Sequence, residues 1–286
     1  SVGGTVTING AIETSNDAIV FGAVTLGSNT EILTNATDNG ADITVAAITG
    51  GSNNLTLSTG NNVAGADITA SGAIASLGNL TLADVGGTAT FSNDVAAAAL
   101  SADNTVANIT FTGSTNTFSA ASTLANDGTL TFGNSTDDSF TFNGGLTTSS
   151  VAGTVTLNTS ISSSDDALVF GNISLGADST INSAGGAITI GTISAASGSR
   201  DITITSSGGS SNTVAVGAIG GSTNINTVAI TGSTSVTLNG NITTDNNSGN
   251  SVTVTGTTIN TGAITIDTNN SSNDGAITFD GAIAGG

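Results

Sequence analysis

The fold is decided by GTVTINGAIETSNDAIVFGAVTLGSNTEI, residues 4–32, which returns as GTVTLNTSISSSDDALVFGNISLGADSTI at residues 153–181. Within both copies, short segments alternate an apolar residue with a small or polar one. A period of two is the pattern of a β-strand with one buried face. A long-range repeat of such strands is typical of a β-solenoid, in which each coil contacts only its neighbours.

The same alternation continues along the chain, in segments such as LTL (55–57), ITI (188–190) and VTVT (252–255). Clusters of Gly, Asn, Asp and Ser separate these segments, for example TGGSNN at residues 49–54. Such residues suit turns because they tolerate positive φ. No stretch has helical spacing with caps, so the sequence predicts an all-β chain.

A parallel β-solenoid is the all-β architecture that best explains the repeat. A sandwich or a closed barrel has a fixed number of strands and no reason to repeat. Successive strands start about 8–12 residues apart, so two or three strands would form one coil of about 20–30 residues. The chain has no Pro, which would remove a donor from the strand ladders. We therefore predict one continuous, elongated solenoid, uncapped at both ends and made of two related sequence repeats, 1–149 and 150–286.

The end of the chain reads directly into its beginning. Residues 143–154, NGGLTTSSVAGT, match DGAIAGG (280–286) followed by SVGGT (1–5). The match extends upstream, where STDDSFTFNG (135–144) parallels SNDGAITFDG (272–281). An internal junction therefore has the sequence that two copies joined tail to head would make. The predicted partner is the chain itself, head to tail through the solenoid ends, either as more of the same polypeptide or as stacking subunits.

The charge of the chain excludes several classes of partner. Twenty acidic residues and a single cation, Arg200, give a formal net charge of −19. One cation cannot neutralise a row of phosphates, so nucleic-acid binding is excluded. Attraction to anionic lipid headgroups is disfavoured for the same reason. No apolar run approaches the roughly 20 residues that a membrane-spanning helix needs.

Few side chains are available for catalysis. The chain has no His, Cys, Tyr or Lys, so Ser–His and Cys–His arrangements are impossible. Paired carboxylates could serve glycoside hydrolysis, for instance Asp137 with Asp138 or Asp165 with Asp166. Sugar sites usually also present a Trp or Tyr platform, and the chain has neither. The sequence therefore predicts a protein that is not an enzyme.

The same four aspartates are the weak candidates for a calcium site. Calcium prefers hard oxygen ligands, and adjacent like charges benefit most from a cation. The alternative is that a turn Asp caps its own backbone before the strand enters the core. The calcium-binding nonapeptide G-G-x-G-x-D-x-U-x is absent. Turn capping without a cofactor is the prediction, and calcium at the double-Asp steps is the open alternative.

The recurring phrases GTVT, GAITI, LTLS, NDGTLTF and NDGAITF, with their Gly-Asn-Ser turns, carry a resemblance. The chain resembles the passenger regions of large bacterial surface adhesins: autotransporters and two-partner-secreted, filamentous-haemagglutinin-like proteins. The resemblance implies secretion, a right-handed parallel β-helix, and a role as a stalk or adhesive fibre at the surface of a bacterium.

These observations lead to one expected function and two alternatives. We expect a non-enzymatic extracellular structural protein, the stalk or fibre-forming repeat region of a large bacterial adhesin. One alternative is a self-assembling filament subunit of an extracellular matrix or surface appendage. The other is a β-helix that binds or cleaves polysaccharide, which would make cell-surface or matrix polysaccharide a partner.

Overall fold

The structure, a computed structural model, describes residues 5–209, 212–221, 225–245, 250–270 and 273–285. Parallel strands stack into a β-solenoid of about 11 turns, and these residues contain no helix. The predicted all-β parallel solenoid is confirmed. Its right-handed sense, its elongated shape and its uncapped ends stay predictions.

The chain divides into two compact units. The first contains Ser1–Asn134 and Ser150–Thr154, and the second contains Ser135–Ser149 and Val155–Gly286. The prediction of one continuous solenoid with sequence repeats 1–149 and 150–286 stays a prediction.

The first unit contains fourteen strands among its described residues: β1 (Val6–Ile8), β2 (Ile12–Glu13), β3 (Ile19–Leu26), β4 (Thr30–Leu33), β5 (Ile43–Thr49), β6 (Leu55–Ser58), β7 (Ile68–Ala70), β8 (Ile74–Ala83), β9 (Thr88–Phe91), β10 (Val95–Ala102), β11 (Asn108–Phe111), β12 (Thr115–Phe118), β13 (Ser122–Leu124) and β14 (Leu130–Phe132).

The second unit contains the other eighteen strands that the structure describes: β15 (Ser139–Phe142), β16 (Leu146–Thr147), β17 (Val155–Leu157), β18 (Ser160–Ser162), β19 (Leu168–Phe170), β20 (Ile173–Leu175), β21 (Ser179–Asn182), β22 (Ile188–Ile190), β23 (Ile193–Ala195), β24 (Arg200–Ser206), β25 (Thr213–Val216), β26 (Ile225–Leu238), β27 (Ile242–Thr243), β28 (Asn250–Thr261), β29 (Ile266–Asp267), β30 (Asn269–Asn270), β31 (Asn273–Asp274) and β32 (Ala276–Gly285). Only the short β30–β31 pair is antiparallel among the pairings described.

Each coil of the second unit has three sides, and each side contributes an inward column of apolar residues. The first side stacks Phe140, Ile161, Ile181, Ile204, Ile230, Val254 and Phe279. The second stacks Leu146, Leu168, Ile188, Val214, Val236, Ile259 and Ile283. The third stacks Val155, Ile173, Ile193, Ile219, Ile242 and Ile266. Alternation along each strand places these columns together in the core.

The first unit has the same kind of core, with aromatic rings in one column. That column contains Phe21, Val45, Ala70, Phe91, Phe111 and Phe132. The Phe91 and Phe111 rings stack with centroids 4.9 Å apart, and the Phe111 and Phe132 rings stack at 6.0 Å. An outward row beside this column contains Thr44, Thr69, Thr90, Thr110 and Thr131. Its branched side chains favour the extended backbone.

The length of a coil varies along the chain. Parallel partners are 18 residues apart at Val6 and Val24 in the first unit. They are 26 residues apart at Ile188 and Val214 in the second. The shortest coils lie just below the predicted range, and the corners absorb the difference in length because only the strands are held by the ladders.

Candidate functional site

Asp side chains at one corner of the first unit connect successive coils. Asp42 Oδ1 accepts a hydrogen bond from the backbone N–H of Asp67, at 2.8 Å. One coil further, Asp67 Oδ1 accepts from the backbone N–H of Thr88, at 2.7 Å. Each carboxylate thus satisfies a backbone donor of the following coil at the start of a strand, where an unpaired N–H would be costly.

The second unit repeats this arrangement. Asp178 Oδ1 accepts from the backbone N–H of Asp201 at 3.0 Å, and Asp201 Oδ1 accepts from the N–H of Thr227 at 3.0 Å. Asn serves as well as Asp, because Asn29 and Asn54 in the first unit accept from the N–H of Asn54 and Asn79, at 2.9 and 2.8 Å. Such bonds use the carboxylates as structural caps between coils.

The sequence contains a signal for these caps that the sequence analysis missed. A capping Asp or Asn immediately precedes the first buried residue of its strand, which is apolar in most cases. Asp42 precedes Ile43, and Asp67 precedes Ile68. At that position the side chain lies at the corner while the strand turns into the core, so its oxygen reaches the coil above.

Replacing Asp67 with Ala is expected to lower the free energy of unfolding by about 1–2 kcal/mol, since the Thr88 N–H loses its acceptor. Asp67→Asn is the matched control, because the amide oxygen can accept the same hydrogen bond, and we expect a change within about 0.5 kcal/mol. Chemical denaturation of both variants measures the difference. Equal losses in the two variants would mean that charge, and not capping, matters at this corner.

Hydrogen bonds also lower the pKa of one exposed carboxylate, that of Asp38. Asp38 has a pKa below its usual value because it accepts hydrogen bonds from the backbone N–H of Gly40 and from the Asn16 side chain, at 2.9 and 2.8 Å. A lowered folded-state pKa contributes stability above the ordinary Asp pKa, and that contribution is lost as the pH falls through the folded-state pKa.

The predicted calcium candidates Asp137 and Asp138 lie in the turn before β15. Asp137 is exposed, whereas Asp138 is buried. Asp138 Oδ2 accepts from the backbone N–H of Ser135 at 3.1 Å, and the Asp138 N–H donates to the Ser135 carbonyl at 3.2 Å. This reciprocal pair is the geometry of a turn cap.

The second candidate pair, Asp165 and Asp166, lies in the turn between β18 and β19. Both residues are exposed, and the Asp166 carbonyl accepts from Ser163 Oγ at 2.6 Å. The two Asp pairs therefore occupy different corners of the coil. Among the described residues, no three Asp or Glu side chains converge as a metal site requires. Calcium at the double-Asp steps stays an untested alternative.

A chelator is expected to leave the thermal midpoint of the protein unchanged, because Asp138 already accepts the Ser135 N–H and no three carboxylates converge among the described residues, whereas a calcium ion needs six to eight oxygens. Melting curves with EDTA and with added calcium test this. A fall of several degrees in EDTA, restored by calcium and not by magnesium, would contradict the expectation.

Aromatic side chains offer no sugar-binding platform in the described residues. The chain has nine Phe; seven are buried, and Phe21 and Phe279 are half-buried. A groove of about 310 Å³ in the first unit is lined by Thr, Ser, Ala, Leu and Asp side chains, including Leu82, Ala102 and Asp103. Stacking on a sugar ring is therefore unavailable there.

The exposed apolar surface of the second unit lies on β32. Ile277 is 42% exposed and Ile283 is 59% exposed; Ile283 ends the second inward column, and Ile277 lies two residues before Phe279, which ends the first. Their partners on β28, Val252 and Ile259, are fully buried. A solvent-exposed strand edge with inward apolar residues is a surface on which a further strand can pair.

Two further findings bear on function. The described part of the chain contains no helix of the length and apolarity that crossing a membrane would require. No protein family, curated protein or solved structure matches this chain.

Proposed function

We propose that this chain is the fibre-forming repeat region of a large bacterial surface adhesin, a non-enzymatic structural protein outside the cell or on its surface. Copies of the repeat continue head to tail. The proposal rests on the resemblance of the GTVT, GAITI and NDGTLTF phrases to adhesin passenger regions. The observation that carries it is the set of inward columns that pass through successive coils of the second unit, two of which reach β32.

The contacts between successive coils suit a mechanical role. Each coil is held to the next by parallel backbone ladders on three sides and by Asp or Asn caps at the corners. Repeat proteins of this kind gain stability from nearest-neighbour interfaces, so adding coils lengthens the body without a new core design. A stalk that displays an adhesive region at a distance from the cell needs this property.

The chemistry available also supports a structural role. The chain lacks His, Cys, Tyr and Lys, which supply most nucleophiles, general bases and general acids. With a single Arg and no Lys, it also offers trypsin-like proteases almost no cleavage site. Resistance of this kind suits a fibre that is exposed outside the cell.

Surface labelling of the cells that produce this protein tests the proposal. An antibody against residues 1–286 should label intact cells, and fibres sheared from those cells should carry the same label. Labelling that appears only after the cells are permeabilised would contradict an extracellular role. Prior treatment of intact cells with a broad-specificity protease is the control, since it should remove a surface label and spare an internal one.

A self-assembling filament subunit is a second candidate, favoured by the exposure of Ile277 and Ile283 on β32. A subunit should form filaments of uniform width at rising protein concentration, visible by electron microscopy. A repeat region that is continued only by its own polypeptide should give single particles at every concentration.

A further inference from the structure

We propose that the edge of β32 binds the first coil of a second copy of this chain, by parallel strand addition in one defined register. The inference rests on the head-to-tail continuation proposed above and adds the register and the contact residues. Strand addition is a general mode of recognition, because the unpaired N–H and C=O groups of an edge form a ladder with the incoming strand.

A template for this contact exists within the second unit. Residues 139–147 on β15 and β16 have the sequence SFTFNGGLT, which parallels AITFDGAIA at residues 276–284 of β32. In the template, Phe140 lies beside Ile161 and Leu146 lies beside Leu168. Phe140 and Leu146 are 0% and 1% exposed there. By sequence, Phe140 corresponds to Ile277 and Leu146 to Ile283, which are 42% and 59% exposed.

The covering coil of the template has its own counterpart in the chain. β18 and β19 lie within residues 153–181, which repeat residues 4–32. Ile161 thereby corresponds to Ile12, and Leu168 corresponds to Ile19. Two contacts follow for the complex: Ile277 with Ile12, and Ile283 with Ile19.

The first coil shows the complementary exposure. Ile12 and Val6 are half-buried in this chain, whereas their counterparts Ile161 and Val155 are fully buried. A β32 edge seated on the first coil would cover Ile12 as β15 covers Ile161. The β32 edge and the first coil thus both carry partly exposed apolar side chains whose counterparts in the template are buried.

Charge disfavours one alternative register of this contact. In the template, Thr141 pairs with Ser162, and their hydroxyl oxygens are 3.3 Å apart. The corresponding pair in the complex is Thr278 with Glu13. A slip that moves Glu13 two residues along β32, from Thr278 to Asp280, would keep every side chain on its face of the sheet. It would place the Asp280 and Glu13 carboxylates beside each other. Like charges directly opposite on neighbouring strands are destabilising, so the slipped register is disfavoured.

Disulfide trapping tests the contact directly, because the chain has no natural Cys. A Thr278→Cys chain is mixed with a Glu13→Cys chain that carries a size tag, under mild oxidation. Paired strands place the two Cα atoms about 4.8 Å apart, within the range that a disulfide bridges. We expect at least about tenfold more tagged–untagged heterodimer from this pair than from Asp280→Cys with Glu13→Cys, whose Cα atoms would lie beyond bridging distance.

One outcome of this experiment would contradict only the register, and another would contradict the association itself. A heterodimer formed chiefly by the Asp280→Cys pair would overturn the register, and no excess of heterodimer from either pair would overturn the proposal. Adding Ile283→Asp to the Thr278→Cys chain should abolish the heterodimer, and circular dichroism checks that this exposed substitution leaves the fold intact. A negative result would leave the adhesin stalk untouched, because surface labelling tests that function independently.

Discussion

Replacing Phe111 with alanine is expected to lower the free energy of unfolding of the first unit by about 3–5 kcal/mol. The ring is fully buried between Phe91 and Phe132, nearly parallel to both, with interplanar angles of 13° and 8°. The cavity cannot collapse readily, because ladders to β9 and β14 hold the backbone of β11 on both edges. The cost therefore includes the cavity as well as the lost transfer free energy.

Hydrogen exchange of the β11 amides measures this loss better than a single global transition, since long repeat arrays can unfold in parts. Phe111→Leu keeps most of the volume and should cost less than about 1.5 kcal/mol. Val20→Ala is the surface control, because Val20 is 72% exposed, and its change should lie within about 0.5 kcal/mol. A Phe111→Ala variant as stable as the Val20→Ala variant would show that the ring column does not support the core.

Replacing Gly217 with alanine is expected to destabilise the second unit by about 1–3 kcal/mol through overpacking. Gly217 lies at the corner after β25, directly over Gly191 at the corner after β22. A Cβ at Gly217 would overlap the carbonyl oxygen of Gly191, well inside the 3.0 Å that real Cβ atoms keep. Backbone atoms cannot rotate away as a side chain can, so the two coils must separate at this corner.

The chain offers a matched control two coils further along. Gly262 follows β28 at the same corner, and a Cβ built there has no heavy atom within 4 Å. Neither Gly217 nor Gly262 has positive φ, so backbone strain does not distinguish them. Gly262→Ala should be neutral or stabilising by about 0.4–1 kcal/mol, because it restricts the unfolded chain. Thermal unfolding of the two variants gives the comparison, and equal midpoints would remove close coil contact as the reason for Gly217.

Residue alternation was sufficient to predict the strands, because it records which face of each strand is buried. LTL at 55–57 and ITI at 188–190 both form strands with the apolar residues inward. Asp137, Asp138, Asp165 and Asp166 were chosen by their spacing along the sequence, and the structure places the two pairs at different corners. Spacing could not have shown this, since the corner that a turn occupies depends on the lengths of all the turns before it.

The buried polar residues could not be recognised from composition. Asn126 is fully buried and donates to the carbonyls of Ala107, Gly128 and Thr129, whereas Asn104, in an equally polar turn, is exposed. Both Asn residues suit a turn equally well by propensity. The Ala107 carbonyl belongs to the neighbouring coil, so the preference of Asn for turns could not show that Asn126 reaches it.

The sequence by itself determined that this chain is all-β, which residues face the core, and that its two halves are related, because a period of two is a local property of an extended backbone. The tertiary structure alone decided that a coil has three sides, that coil neighbours lie 18 to 26 residues apart, and that β32 leaves Ile277 and Ile283 exposed. Those features depend on where each turn sets a strand against the preceding coil, which no short segment encodes.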